Sequence, residues 1–187
     1  MAEGVGDAVR ALLAGRLVVY PTDTLLGLAA RAEDAAAVDR LVAAKGRAPD
    51  RPISLAVSSL EEAEPLADLA PPARRFLRAE LPGPFTVLLP PSARARRALP
   101  AAIAGGRALG LRLPDHPLAR ELARRTGPIT ATSANRHDEP PARTVAEARR
   151  ALGDAVAVYL GGGAAPSGRP STLVDLTGGA PRVVPRR

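Results

Sequence analysis

The sequence predicts a single-domain α/β fold over residues 1–187, with a twisted mixed sheet flanked by helices. Short apolar runs alternate along the chain with segments of helical hydrophobic spacing, a pattern typical of α/β proteins. A length of 187 residues suits one domain with a sizeable core. No repeat or low-complexity tract divides the chain, so we expect one folding unit.

The elements can be placed from apolar spacing and from helix-start signals. Asp34 and Thr144 each precede a helical pattern and are expected to cap it. The pattern predicts helices over 7–13, 35–44, 60–70, 72–80, 117–125 and 145–152. It predicts strands over 17–20, 53–57, 85–89, 109–113, 129–131, 155–160, 173–176 and around 183–184, with loops over 45–52, 90–97 and 161–170.

The composition excludes several kinds of chemistry. The chain has no Cys, which excludes disulfides, thiolate metal sites and a cysteine nucleophile, and its two His are too few for a zinc cluster without carboxylates. No apolar run approaches the roughly 20 residues that cross a bilayer, and we expect a cytoplasmic protein without membrane contact.

The net charge of +7 favours polyanionic partners. Lys45 is the one lysine among 26 basic residues, and Asn135 is the one asparagine.

A polar turn follows the first predicted strand. Pro21 should end the strand's hydrogen-bonding ladder, and Thr22, Asp23 and Thr24 then offer three short oxygen-bearing side chains at the rim of the sheet. Ligands favour such rims in α/β proteins. The alternative is that these side chains only build an Asx or hydroxyl turn.

Three cations share the restrained loop at 45–52. Lys45, Arg47 and Arg51 lie in a stretch stiffened by two prolines, so they could converge on phosphate with little loss of entropy. The spacing is not that of a P-loop. The alternative is a solvated basic loop at the end of a helix.

Arg112 alternates with leucines on a predicted strand. An inward-facing arginine needs an anion, from the protein or from a ligand. The sequence leaves both sources open, because Asp115 could supply an internal partner.

Taken together, these motifs resemble the threonylcarbamoyl-AMP synthase family, the YrdC-like proteins. The shared features are proline-led turns, a Lys-Gly-Arg loop, a buried-type arginine and a Ser-Ala-Asn segment, in an order that covers nearly the whole chain. The matching residues are Pro21 to Thr24 with Gly27 and Leu28, Lys45 and Arg47 ahead of Pro52, Pro82 to Pro84 with Thr86, Gly110 and Arg112 with Pro114, Thr132 to Asn135, and Pro170 to Thr172 with Asp175.

The resemblance implies a nucleotidyltransferase that joins L-threonine, bicarbonate and ATP into threonylcarbamoyl-AMP and pyrophosphate. The product would pass to a tRNA threonylcarbamoyl transferase complex that modifies adenosine 37. Mg²⁺ would accompany ATP, and no protein side chain is assigned to a metal. The chemistry needs positioning and charge neutralisation without a protein nucleophile. The alternatives are a non-catalytic RNA-binding module of the same fold and a carbamoyl-adenylate-forming enzyme with another acceptor.

The predicted site residues come from the matching positions, with Arg143 added because it follows the Thr132–Asn135 segment. Thr22, Thr24 and Arg112 are predicted to bind threonine. Lys45 and Arg47 are predicted to bind the ATP phosphates and to be catalytic. The nucleotide would also contact Thr132, Ser133, Asn135, Arg143 and Ser171, whose alternative role is hydrogen bonding in turns and caps.

The aromatic content of 2% leaves little scope for base stacking. Any contact with tRNA or double-stranded RNA would therefore be weak and salt-dependent, through arginines such as Arg94, Arg96 and Arg97. The alternative is that this run is only a solvated face.

Overall fold

The strands of the computed structural model form two mixed sheets, and the structure describes residues 4–48, 51–161, 167–178 and 180–185. The strands are β1 Leu17–Tyr20, β2 Gly27–Ala29, β3 Leu55–Ala56, β4 Phe85–Leu89, β5 Leu109–Arg112, β6 Ile129–Thr130, β7 Thr132–Ser133, β8 Val156–Tyr159, β9 Thr172–Asp175 and β10 Arg182–Val183. The helices are α1 Val5–Leu13, α2 Ala35–Lys45, α3 Leu60–Ala63, α4 Pro71–Glu80, α5 Ala93–Ala98, α6 Ala101–Ala104, α7 Pro117–Thr126 and α8 Val145–Leu152.

The first sheet has the order β7-β2-β1-β8 and the second the order β10-β9-β4-β5-β3-β6. Each contains both parallel and antiparallel pairs. The predicted α/β class with mixed pairing and flanking helices is confirmed. The strands divide between two sheets where the sequence suggested one.

The two sheets meet where the chain after β2 runs beside β6. Arg31 forms an isolated bridge with Ile129, and the Thr130 backbone N–H donates to the Ala30 carbonyl at 2.9 Å. The fully buried Thr130 hydroxyl accepts from the Ala30 N–H and donates to the Leu28 carbonyl. This seam fixes the position of one sheet relative to the other.

Strand β1 is buried on both faces, as its apolar sequence predicted. Leu17 and Val19 join the large core that extends into the second sheet. Val18 and Tyr20 point to the other face, into a smaller core formed with α1 and α7. The period of two along a strand produces this division. The end of β1, from which the polar turn leaves, is therefore held from both sides.

The two predicted helix caps, Asp34 and Thr144, are confirmed, and a third cap that was not predicted explains one wrong prediction. The Asp34 carboxylate accepts from the Ala37 N–H at 3.0 Å, and the Thr144 hydroxyl caps α8. The predicted loop over 90–97 was wrong, because Ser92 caps the short helix α5 in the same way. The helix predicted over 60–70 was also wrong in extent, since α3 ends at Ala63 and a 3₁₀ turn reaches only Leu66.

Gly110 on β5 supports a stability prediction. An added Cβ there would lie 2.3 Å from the Ser54 hydroxyl and 3.0 Å from its Cβ. Gly110→Ala should therefore lower the free energy of unfolding, measured by chemical denaturation, by about 1–3 kcal/mol. Adding Ser54→Gly to this variant should recover much of the loss. Gly161→Ala, where a Cβ would meet no atom of the described residues within 4 Å, is the matched control and should change little. Equal stability of Gly110→Ala and the control would contradict the contact.

Candidate active site

The turn after β1 is closed by its own threonines. The Thr22 hydroxyl donates to the Leu25 carbonyl at 2.6 Å and accepts from the Thr24 N–H at 3.1 Å, and the two threonine hydroxyls lie 3.1 Å apart. Both residues are buried. Thr22 therefore holds the shape of the turn, as the alternative reading proposed, and threonine binding by Thr22 and Thr24 stays a prediction.

The shape of this turn presents Asp23 to Arg112. The Arg112 guanidinium donates to Asp23 Oδ1 at 2.9 Å, and the two side chains are only 10% and 11% exposed. The internal partner suggested from the sequence, Asp115, is wrong: it lies at the surface and is 3.8 Å from Arg120. The partner comes from the other sheet, 89 residues away in the chain, so proximity in sequence was the wrong guide.

Several buried polar atoms around this ion pair have no hydrogen-bond partner among the described residues. They are Asp23 Oδ2, Arg112 Nε and His116 Nδ1. Burial is also the main cause that lowers the pKa of His116 below its ordinary value, while Asp23 opposes the shift. Burial raises the pKa of Tyr20 to about 12, so both neighbours of the pair are neutral at pH 7. Orphaned buried atoms are costly in proteins and often indicate a functional site.

Lys45, at the end of α2, joins that helix to the segment after β7. Its ammonium donates to the Ser133 and Asn135 carbonyls, each at 2.6 Å. The residue is 4% exposed, and burial, assisted by Arg47, lowers its pKa to about 8. Gly46 then ends α2 in the left-handed conformation at φ 60°. The ammonium has three N–H groups, and the third has no bonding partner in the described ranges.

Arg47 lies on the loop that follows Gly46. One of its terminal nitrogens donates to the Pro52 carbonyl at 2.7 Å, while its Nε is buried without a partner in the described ranges. Burial, with a smaller contribution from Arg51, lowers the pKa of Arg47 below its usual value. Arg47 thus reaches back to Pro52, and its charge interacts with those of Lys45 and Arg51. Its phosphate contacts stay a prediction.

The carboxamide of Asn135 has a fixed orientation. Its Nδ2 donates to the Arg136 and Glu139 carbonyls, both at 2.7 Å, which leaves Oδ1 as a buried acceptor with no partner in the part of the chain described. Thr132 and Ser133 are half-buried on β7, which pairs with β2. These three residues and Lys45 therefore form one cluster. Their contact with a nucleotide stays a prediction.

The remaining predicted nucleotide residues lie in different settings. The Ser171 hydroxyl is 2.6 Å from that of Thr86, and both residues are buried between β4 and β9. Continuing the β4–β5 register by one residue from Val87–Leu111 sets Thr86 beside Arg112. The Arg143 side chain is exposed, and its backbone N–H donates to Glu147 at the start of α8.

A cavity borders the Asn135 and Arg143 surroundings, and the basic run lies elsewhere on the surface. A cavity of about 450 Å³ is lined by Arg136, Glu139, Pro140, Pro141, Ala142, Glu147, Arg150 and Ala151 and contains neither Lys45 nor Arg112. The basic run lies on α5, where Arg96 donates to the Ala104 carbonyl while Arg94 and Arg97 are exposed. Near the C-terminal end Arg182 pairs with Asp175 at 3.0 Å, and Arg186 lies outside the described residues.

Sequence reasoning found the cations of the site and missed part of their surroundings. Asp23 was predicted to lie at the rim of the sheet or in an Asx turn, without a partner, and His116 was given no role. A signal for Asp23 existed, since a buried arginine requires an anion and Asp23 follows the end of a buried strand. Ser54 was also missed. Its hydroxyl lies over Gly110, on the same face of β5 as the Arg112 side chain two residues further on.

The helices of the described ranges are all too short or too polar to span a bilayer.

The fold and these residues define an α/β protein with buried polar side chains at the ends of β1, α2 and β5. Residues 10–187 match the Sua5/YciO/YrdC family, which carries the description telomere recombination. The chain belongs to this family, and the resemblance drawn from its motifs is confirmed.

Relatives match over nearly the whole chain. A protein of Mycobacterium tuberculosis is 42% identical over 97% of this chain and 82% of its own length. One from Chromohalobacter salexigens, named threonylcarbamoyl-AMP synthase, is 41% identical over 95% of both chains. The crystal structure of P. abyssi Sua5 complexed with L-threonine superposes with a TM-score of 0.88 at 32% identity, covering 96% of this chain and 52% of that one.

The low pKa of Lys45 predicts a pH-dependent contribution to stability. The unfolded chain keeps this proton up to about pH 10.5, whereas the folded chain releases it near pH 8. The unfolded state therefore binds more protons between these values, and the free energy of unfolding should rise with pH. From about pH 8 to 10 the wild type should gain roughly 2 kcal/mol relative to Lys45→Met in denaturant titrations. Parallel curves for the two proteins would contradict the assignment.

Proposed function

We propose that this chain synthesises L-threonylcarbamoyl-AMP from L-threonine, bicarbonate and ATP and releases pyrophosphate. One observation carries the proposal: a single buried ammonium, Lys45, connects α2 to the Thr132–Asn135 segment, and its third N–H bonds to no described residue. The name of the Chromohalobacter relative and the threonine bound to P. abyssi Sua5 support the choice of substrates.

Arg112 is the proposed site for the threonine carboxylate. Its Nη2 is bonded to Asp23, while its Nε is a buried donor without a partner in the described structure. A carboxylate satisfies such a donor with a charge-assisted hydrogen bond. The turn built by Thr22 and Thr24 forms the neighbouring wall, and its small buried side chains suit a small amino acid.

Lys45 and Arg47 are the proposed phosphate ligands. Lys45 is cationic at neutral pH, because its pKa of about 8 lies above 7. Its fixed position means that little entropy is lost when it binds an anion. Mg²⁺ enters as part of the ATP substrate. The cations neutralise charge that moves onto pyrophosphate, which is the main task of a protein in phosphoryl chemistry.

The reaction requires two bond-forming steps. The threonine nitrogen bonds to the carbon of bicarbonate, and one water and one proton leave, giving the carbamate. A carbamate oxygen then bonds to the α-phosphorus of ATP, and the bond from that phosphorus to the pyrophosphate oxygen breaks. No protein nucleophile takes part, so the site needs only to position three substrates and to neutralise their charge.

The nucleoside is proposed to lie along the Thr132–Asn135 segment. Asn135 offers an unpaired acceptor, Oδ1, whose orientation is fixed by the two bonds of Nδ2. A donor on the base or the ribose would satisfy it. Thr132 and Ser133 lie on the same short strand, while Ser171 and Arg143 are proposed as further contacts.

The proposed product is a mixed carbamic–phosphoric anhydride, which water hydrolyses. A transferase that acts on tRNA would have to take it up soon after release, so we propose transient hand-over to the complex that modifies tRNA adenosine. Exposed arginines on α5 are proposed as the site of any weak RNA contact.

Exchange of labelled pyrophosphate into ATP tests the proposed function. Exchange that requires both L-threonine and bicarbonate is expected. Exchange that proceeds without threonine would indicate a different acceptor, and complete absence of exchange would favour a non-catalytic RNA-binding module.

Lys45→Ala should lower this exchange rate because it removes a charge-assisted contact from a dry site. A loss of roughly 2–4 kcal/mol of transition-state stabilisation corresponds to about a 30- to 1,000-fold slower rate. Thermal unfolding of the variant shows whether the fold survives the loss of the two carbonyl contacts. Unchanged exchange and ATP affinity would rule out this role for Lys45.

Arg112→Lys should raise the KM for threonine by about 10- to 100-fold and leave ATP affinity nearly intact. Lysine keeps the charge and loses the planar fork that binds a carboxylate and Asp23 together. Arg124→Lys is the matched control, because Arg124 is exposed and pairs with Glu121 on α7. A lowered melting temperature with normal threonine affinity would instead assign Arg112 a purely structural role.

A further inference from the structure

The ion pair between Asp23 and Arg112 makes only one of the two hydrogen bonds that such a pair can form. A guanidinium and a carboxylate can join through two parallel hydrogen bonds. Here one bond is made, from Nη2 to Oδ1 at 2.9 Å, while Oδ2 and Nε are both buried and lack partners among the described residues. The pair therefore has one buried acceptor on the carboxylate and one buried donor on the guanidinium that make no hydrogen bond in the described structure.

An amino acid zwitterion can satisfy both of these atoms. Its carboxylate accepts from Arg112 Nε, and its ammonium donates to Asp23 Oδ2. A ligand with only one of the two charges would leave one buried atom unpaired, and sites of this kind discriminate strongly against such ligands.

The charge balance of the surroundings agrees with a zwitterion. Asp23 and Arg112 cancel, and the neighbouring His116 and Tyr20 are neutral at pH 7 because burial lowers the pKa of the first and raises that of the second. A ligand without net charge can thus enter without leaving an uncompensated charge. The pair's side chains are 10% and 11% exposed, so one edge of it reaches solvent.

We propose that Asp23 is the specificity residue that accepts the α-ammonium of the amino acid substrate through Oδ2, beside Arg112, which takes the carboxylate. The inference rests on the proposed function and adds a second half to its threonine site. Asp23 then does two things: Oδ1 orients Arg112, and Oδ2 selects substrates that carry an amino group.

The ammonium contact also orients the nucleophile. Once a proton has left, the nitrogen held at Asp23 is the atom that forms the new bond to the carbon of bicarbonate. The proton leaves for solvent in this scheme, which assigns no acid–base step to Asp23.

Two ligands separate selection of the ammonium from orientation of Arg112. L-threonine carries both charges, whereas (R)-3-hydroxybutanoate has the same carbon skeleton and hydroxyl without the amino group. Calorimetric titration of the full chain should give at least tenfold tighter binding of L-threonine to the wild type. Equal affinity for the two ligands would overturn the proposal without the use of any variant.

Asp23→Asn should then remove this preference. We expect L-threonine to bind at least tenfold more weakly, and 3-hydroxybutanoate to stay within about threefold of its wild-type affinity. If Asp23 only orients Arg112, both ligands lose affinity by the same factor, because both present a carboxylate; that result would also overturn the proposal. Asp115→Asn is the matched control, since Asp115 is 66% exposed and pairs with Arg120.

Failure of this inference can be told from failure of the proposed function. A wild type that catalyses threonine-dependent pyrophosphate exchange, with an Asp23→Asn variant that weakens both ligands equally, would remove Asp23 as the ammonium acceptor and leave the reaction in place. A wild type that neither binds L-threonine nor shows the exchange would remove both.

Discussion

The seam between the two sheets is the constraint on which the site depends. Thr130 holds the seam together. Its buried hydroxyl and its backbone N–H make hydrogen bonds to backbone groups of Leu28 and Ala30, at the end of β2. Asp23 follows a strand of the first sheet, whereas Arg112 ends a strand of the second. The distance between these side chains is therefore set by how the sheets are joined, so a shift at the seam would separate the pair without any change near it.

Much of the fold could be predicted because its signals are local. The four apolar residues of β1, the Asp34 cap and the Thr144 cap each act within a few positions along the chain. The division into two sheets could not be predicted, because β6 and β7 are two residues long and are set by contacts with Ala30 and Gly27 about a hundred residues away. The helix α5 was missed for a different reason: its arginine-rich sequence has little apolar spacing, and Ser92 was the one signal of its start.

The candidate site shows the same limit at the level of single residues. Arg112 could be identified as needing an anion, because two leucines flank it on a strand. The identity of the anion inside the protein depended on tertiary structure, and Asp115, the internal partner that the sequence left open, pairs with Arg120 instead. Asp23 was expected in the polar turn after β1, and it does lie there, between Thr22 and Thr24. The orphaned Oδ2 and Nε atoms became visible only when the two strand ends were brought together.

The single lysine of a chain rich in arginine can be understood from its contacts. A tetrahedral ammonium can donate to two carbonyls 2.6 Å away and still direct a third N–H elsewhere. A planar guanidinium is wider and longer, and it would have to displace the segment after β7 to reach the same carbonyls. Burial of this cation is costly, as its pKa of about 8 indicates. The two carbonyls offset part of that cost, and an anionic phosphate at the remaining N–H would offset more. The ammonium thus stabilises the segment that carries Ser133 and Asn135 while its charge stays available to a ligand.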